Sequence, residues 1–62
     1  MVRRFIVAVE GPNLSDLEEA ELVHPPGDGE PIETRYGTCV VIGTEMYTDN
    51  DTYAGKIMCK TL

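Results

Sequence analysis

Tryptophan is absent, phenylalanine and histidine occur once each, and lysine and arginine together number five. Each scarcity excludes something. Against eleven acids the five cations leave a net charge of −6. Phosphate contacts need Lys and Arg, so binding to nucleic acid through bulk charge is disfavoured. The only metal-avid side chains besides carboxylates are His24, Cys39 and Cys59. They show no paired local spacing of the C-x-x-C kind, so neither a zinc site nor a cofactor is expected.

The same poverty argues against catalysis. A nucleophile needs a base within hydrogen-bond reach and a group to orient that base. Only Cys39 or Cys59 with His24 offers such a pair here, and no local motif supports it. No enzymatic activity is expected. Asp49 and Asp51 match the first and third ligand positions of a calcium loop, but Ala54 and Lys60 stand where Gly and Glu are required. Gly27-Asp28-Gly29 has no following Lys or helix start to make a phosphate cradle.

No apolar run approaches the roughly 18 residues of a membrane span. The run Phe5 to Val9 behind Arg3 and Arg4 is also too short for the apolar region of a signal peptide. A cytoplasmic location is expected. The sugar-acceptor sequons at Asn13 and Asn50 then carry no meaning.

What is present is enough for one small domain spanning residues 1–62. Hydrophobic residues make up 42%, too many for a disordered chain. A domain of this size hides only about 60% of its unfolded surface, so its core is marginal. The acids are unevenly placed. Eight lie between Glu10 and Glu33 with no Lys or Arg among them, leaving the remainder at +2. The chain is electrically two-sided.

Val2 to Val9 reads as a strand, and Gly11-Pro12-Asn13 as a break. Ser15-Asp16-Leu17-Glu18 fits a helix capping box, which predicts a short helix from Asp16 to Val23 with Leu17, Ala20 and Val23 inward. The competing pattern is a strand over Glu19 to His24, with Ala20, Leu22 and His24 on one face. Pro25 to Pro31 reads as a loop. Two strand-like runs then flank Thr48-Asp49-Asn50-Asp51, and Asp49-Asn50 suits a tight hairpin turn. That turn places Met46 opposite Tyr53, Thr44 opposite Gly55, Ile42 opposite Ile57 and Val40 opposite Cys59, one coherent apolar stripe.

The expected fold is therefore α+β: a β-α-β-β domain with a three-stranded, mainly antiparallel sheet and one short helix on one face. The first strand is expected beside the last, antiparallel to it. A small five-stranded barrel is the alternative if residues 19–24 form a strand. In the expected register Cys39 and Cys59 point to opposite faces, which disfavours a disulfide between them.

Function is then a matter of surfaces. Glu18, Glu19, Glu21, Asp28, Glu30 and Glu33 form an acidic face suited to a basic protein partner, and carboxylates on a stiff scaffold can imitate a phosphate track. An inhibitor of a nucleic-acid-binding protein would use such a face. The second sheet face carries Cys39, Val41, Tyr47 and Met58, an apolar patch suited to self-association as a homodimer or assembly subunit. The least favoured reading is a single-strand binder, with Tyr47 stacking on bases and Arg4, Arg35, Lys56 and Lys60 on phosphates.

Overall fold

The computed structural model describes residues 1–61, and among them there is no helix. Five strands form one sheet: β1 Arg3–Gly11, β2 Leu14–Leu22, β3 Pro31–Thr34, β4 Gly37–Met46 and β5 Gly55–Thr61. Their order across the sheet is β2-β1-β5-β4-β3, and the sheet curls into a half-barrel with β2 and β3 as its edges. This replaces the expected α+β arrangement with an all-β one.

The first correction concerns the helix. Pro12 and Asn13 make a two-residue turn that pairs Gly11 with Leu14, and the whole of β2 then zips antiparallel onto β1. Along β2 half-buried and exposed residues alternate without a break, so Leu14, Asp16, Glu18, Ala20 and Leu22 face one way. An eight-residue helix is unstable alone. Strand pairing supplies nine ladder positions and overrides the local cap signal. Leu17 and Val23, expected inward, are exposed.

The second correction concerns direction. β1 and β5 are adjacent but parallel, with Val7 beside Ile57 and Val9 beside Cys59. β1–β2, β3–β4 and β4–β5 are antiparallel, and the chain crosses from β2 to β3 through residues 23–30. Four successive reversals bring the fifth strand back to the direction of the first.

The third correction is the β4–β5 register. Met46 pairs with Gly55, not Tyr53, and a β-bulge lies between Val41 and Gly43. Below the bulge Thr44 opposes Ile57; above it Val41 opposes Cys59. The extra residue, Ile42, reverses which parity of β4 points inward. Cys39 and Val41 consequently enter the core in place of Val40 and Ile42. Residues 47–54 form a wider loop than the expected tight turn. Asn50 Oδ1 accepts from the Thr52 and Tyr53 amides at 2.9 and 2.8 Å, and the Ala54 amide donates to the Arg4 carbonyl at 2.8 Å.

The core lies inside the curl: Phe5, Val7 and Val9 from β1, Cys39 and Val41 from β4, Ile57 and Cys59 from β5. Leu14, Ala20, Leu22, Ile32 and Ala54 pack around it. Gly55 is needed at its place, since a Cβ there would collide with the Glu45 carbonyl oxygen.

Candidate functional site

The two edges of the half-barrel are joined by side chains, with no ladder between them. Asp16 and Glu18 lie on the inner face of β2, opposite Val9 and Val7. The β3–β4 turn, Arg35-Tyr36 closed by Gly37 at a φ of +101°, faces them. Thr34 Oγ1 holds that turn, donating to the Gly37 carbonyl at 2.8 Å and accepting from the Tyr36 amide at 3.1 Å. From it the Tyr36 hydroxyl donates to Asp16, and Arg35 Nε donates to Glu18 Oε2 at 3.1 Å.

The Tyr36 hydrogen bond, with a second from the Leu17 amide, holds the Asp16 carboxyl below its ordinary range and raises the Tyr36 hydroxyl. A second latch runs over the outer side. Tyr53 donates to Glu19 Oε1 at 2.5 Å, and Arg4 lies 3.9 Å from Glu19 Oε2. The hydrogen bond to Glu19 is the leading cause that raises the Tyr53 hydroxyl.

These contacts divide the acids proposed from sequence. Glu18 is inside, only 13% exposed and neutralised by Arg35. Glu19 is committed to Arg4 and Tyr53. Glu21, Asp28, Glu30 and Glu33 are all exposed. Glu33 accepts a hydrogen bond from Thr38 at 2.8 Å. Among the described residues the ion pairs are Arg4–Glu19 and Arg35–Glu18, so those four carboxylates have no cation. Asp28 and Glu30 lie on the segment that carries the chain from the β2 edge to the β3 edge, while Glu21 is near the end of β2 and Glu33 is in β3. The Gly29 amide anchors that segment to the Val41 carbonyl at 2.7 Å, and Pro26 is buried beneath it.

The proposed apolar patch is redistributed. Cys39 and Val41 are core residues and unavailable to a partner. Tyr47 is half-buried at the start of the β4–β5 loop, and only Met58 is on the outer face. The outer face has an apolar row of its own that the sequence did not reveal. Leu17 on β2, Ala8 on β1 and Met58 on β5 lie side by side, with Gly43 of β4 beyond them. Leu17 is 61% exposed, Met58 38%, and Ile42 at the bulge 55%. Strict alternation along β2 was the available signal, masked by the capping box.

The cations expected on one face are also separated. Arg35 and Arg4 are engaged in the two latches, while Lys56 and Lys60 stand on the outer face of β5.

Cys39 and Cys59 are free, fully buried and both directed into the curl. Burial, reinforced by Cys39 beside it, pushes the Cys59 thiol up to about 12. Such a thiol is not a nucleophile at neutral pH. Among the described residues no group of three or more His, Cys, Asp or Glu side chains is placed to hold a metal ion. A hollow of about 680 Å³ is an open cleft at one end of the sheet, lined by Arg3, Arg4, Glu21, Asn50, Asp51 and Tyr53 among others. Comparison with known proteins finds no matching family model, curated protein or solved structure.

Proposed function

We propose that this chain is a non-catalytic binding protein that docks a basic protein surface through the acids of its two sheet edges and of the segment that joins them. The observation that carries the reading is the division among the carboxylates. Glu18 and Glu19 are neutralised within the fold, whereas Glu21, Asp28, Glu30 and Glu33 are exposed without a cation. Unpaired like charges destabilise the compact state by mutual repulsion. A partner rich in Lys and Arg relieves that repulsion and is steered toward the acids at long range.

Surfaces built to grip phosphates have this composition, so a nucleic-acid-binding protein, inhibited by carboxylates in place of phosphates, is the favoured target class. Two free thiols suit a reducing compartment, which supports a cytoplasmic location.

The test is affinity capture from the native host at low and moderate salt, followed by titration of the captured protein against wild type and a variant. The variant carries Gln at 21, 30 and 33 and Asn at 28. Steep loss of affinity with salt, and at least a tenfold loss in the variant, is expected. Salt-insensitive binding that the variant retains overturns the reading.

A further inference from the structure

β2 is one edge of the sheet, and no strand lies beyond it. Backbone groups along a strand point alternately to its two sides. The two-residue turn at Pro12 and Asn13 closes on Gly11 and Leu14, and a turn of that length closes on a hydrogen-bonded pair. Leu14, Asp16, Glu18, Ala20 and Leu22 therefore bond to β1. The amides and carbonyls of Ser15, Leu17, Glu19 and Glu21 point off the edge. The Leu17 amide agrees, since it donates to Asp16 Oδ1 at 2.8 Å.

This edge is nine residues long and holds neither a proline nor a bulge, two features that keep edge strands from pairing with other chains. The other edge, β3, has four residues and begins at Pro31, which offers no amide. β2 needs a different guard, and Asp16 is placed to be one. Its Oδ1 caps the Leu17 amide near the middle of the edge. Its Oδ2 accepts from the Tyr36 hydroxyl, which ties the β3–β4 turn across that edge.

We propose that this clasp is an autoinhibitory contact, which keeps β2 from pairing antiparallel, edge to edge, with β2 of a second copy. Side chains fix the register of that pairing. With Leu17 opposite its own copy, Ser15 falls opposite Glu19, and Leu14 opposite Ala20. Leu17, 61% exposed in the single chain, then gains an apolar neighbour. The acids that meet are Asp16 and Glu18, twice over by the two-fold symmetry. Sliding the copies by one step either way sets Glu18 on Glu18 or Asp16 on Asp16. Glu18 and Glu19 carry cations of their own, Arg35 and Arg4. Asp16 therefore supplies the unbalanced charge at the centre of this register. Removing its carboxylate frees the Leu17 amide, releases the turn and lifts the repulsion together.

Sedimentation equilibrium of the full chain at neutral pH, from about 10 μM to about 1 mM, compares wild type with Asp16→Ala. Wild type is expected to stay monomeric, and Asp16→Ala to dimerise at least tenfold more tightly. Amide hydrogen exchange by NMR should show Ser15, Leu17 and Glu19 protected in that dimer and not in the monomer. Adding Leu17→Pro to Asp16→Ala removes the central amide at no cost to the β1 ladder, and should restore the monomer. Asp16→Thr, a strand former without the charge or the reach to Tyr36, is measured alongside, so that a fold lost to alanine does not spare the proposal. Folded Asp16 variants that stay monomeric at the highest concentration overturn it. So does a dimer in which those three amides exchange as in the monomer, or wild type that associates as tightly as the variants.

Discussion

Replacing Val41 with alanine and, separately, Leu17 with alanine tests the inside–outside assignment of the whole sheet. Val41 is 1% exposed, enclosed by the β1 and β5 core. Val→Ala removes two methyl groups at about 0.8 kcal/mol each and leaves a small cavity, for a loss of about 2–3 kcal/mol. A 62-residue domain has roughly 3–9 kcal/mol in total. The substitution therefore takes away between about a fifth and nearly all of the stability. At about 1 kcal/mol per molar urea, the midpoint should fall by about 2 M, and Tm should fall by about 10 °C or more.

Leu17 is the larger side chain, yet it is 61% exposed and its loss should cost within about 0.5 kcal/mol. Urea titrations followed by far-UV circular dichroism, at low micromolar protein to exclude self-association, supply both numbers. In a helix with Leu17 inward the order would reverse, with Leu17→Ala costing about 2–5 kcal/mol. A Leu17→Ala loss equal to or above that of Val41→Ala refutes the β2 assignment.

Gly55→Ala should destabilise by about 1–3 kcal/mol, because the added Cβ meets the Glu45 carbonyl oxygen and backbone must shift; the same titration measures it. Tyr36→Phe should raise the Asp16 carboxyl toward its ordinary 3.8, read by NMR titration. The Asp16 pKa is depressed in the fold, so its contribution is present above 3.8 and is lost as pH falls through the lower folded value. Tyr36 is raised, so its contribution is present below 10.0 and is lost at higher pH. A Tyr36→Phe protein with unchanged Asp16 titration would remove the latch from the account. For Cys59 the raised thiol contributes below pH 9.0, and that contribution fades as pH climbs toward about 12. Native protein at pH 8 should resist alkylation that proceeds in denaturant, and rapid labelling of both thiols in the native state would contradict their burial.

Much of the architecture was written in local sequence. The β-branched run of β1, the break at Pro12 and Asn13 and the Pro-rich loop form where composition places them, whereas the strand run from Thr34 is broken at Arg35-Tyr36 into β3 and β4, and the run from Asp51 becomes a strand only at Gly55. The acids of β2 misled because they satisfy two grammars. Ser15 and Glu18 spell a helix cap, while Leu14, Asp16, Glu18, Ala20 and Leu22 spell one face of a strand. The first grammar is local, and the second is realised only when β1 lies alongside.

Ile42 misled differently. One extra residue in a ladder leaves no mark in composition, yet it turns Cys39 and Val41 inward and removes them from the expected surface patch. The acidic face was legible as a charge run. Its division into neutralised and free members was not, because Arg35 is 17 residues from Glu18, and Tyr36 is 20 from Asp16.

The sequence by itself determined a small, acidic, strand-rich domain with its negative charge concentrated between Glu10 and Glu33. These are properties of composition and short-range pattern, which need no partner strand. Only the tertiary structure decided that β2 is a strand, that β5 runs parallel to β1, and which carboxylates are left for a partner. Each of those depends on contacts between residues far apart in the chain, where pairing across the sheet outweighs local preference.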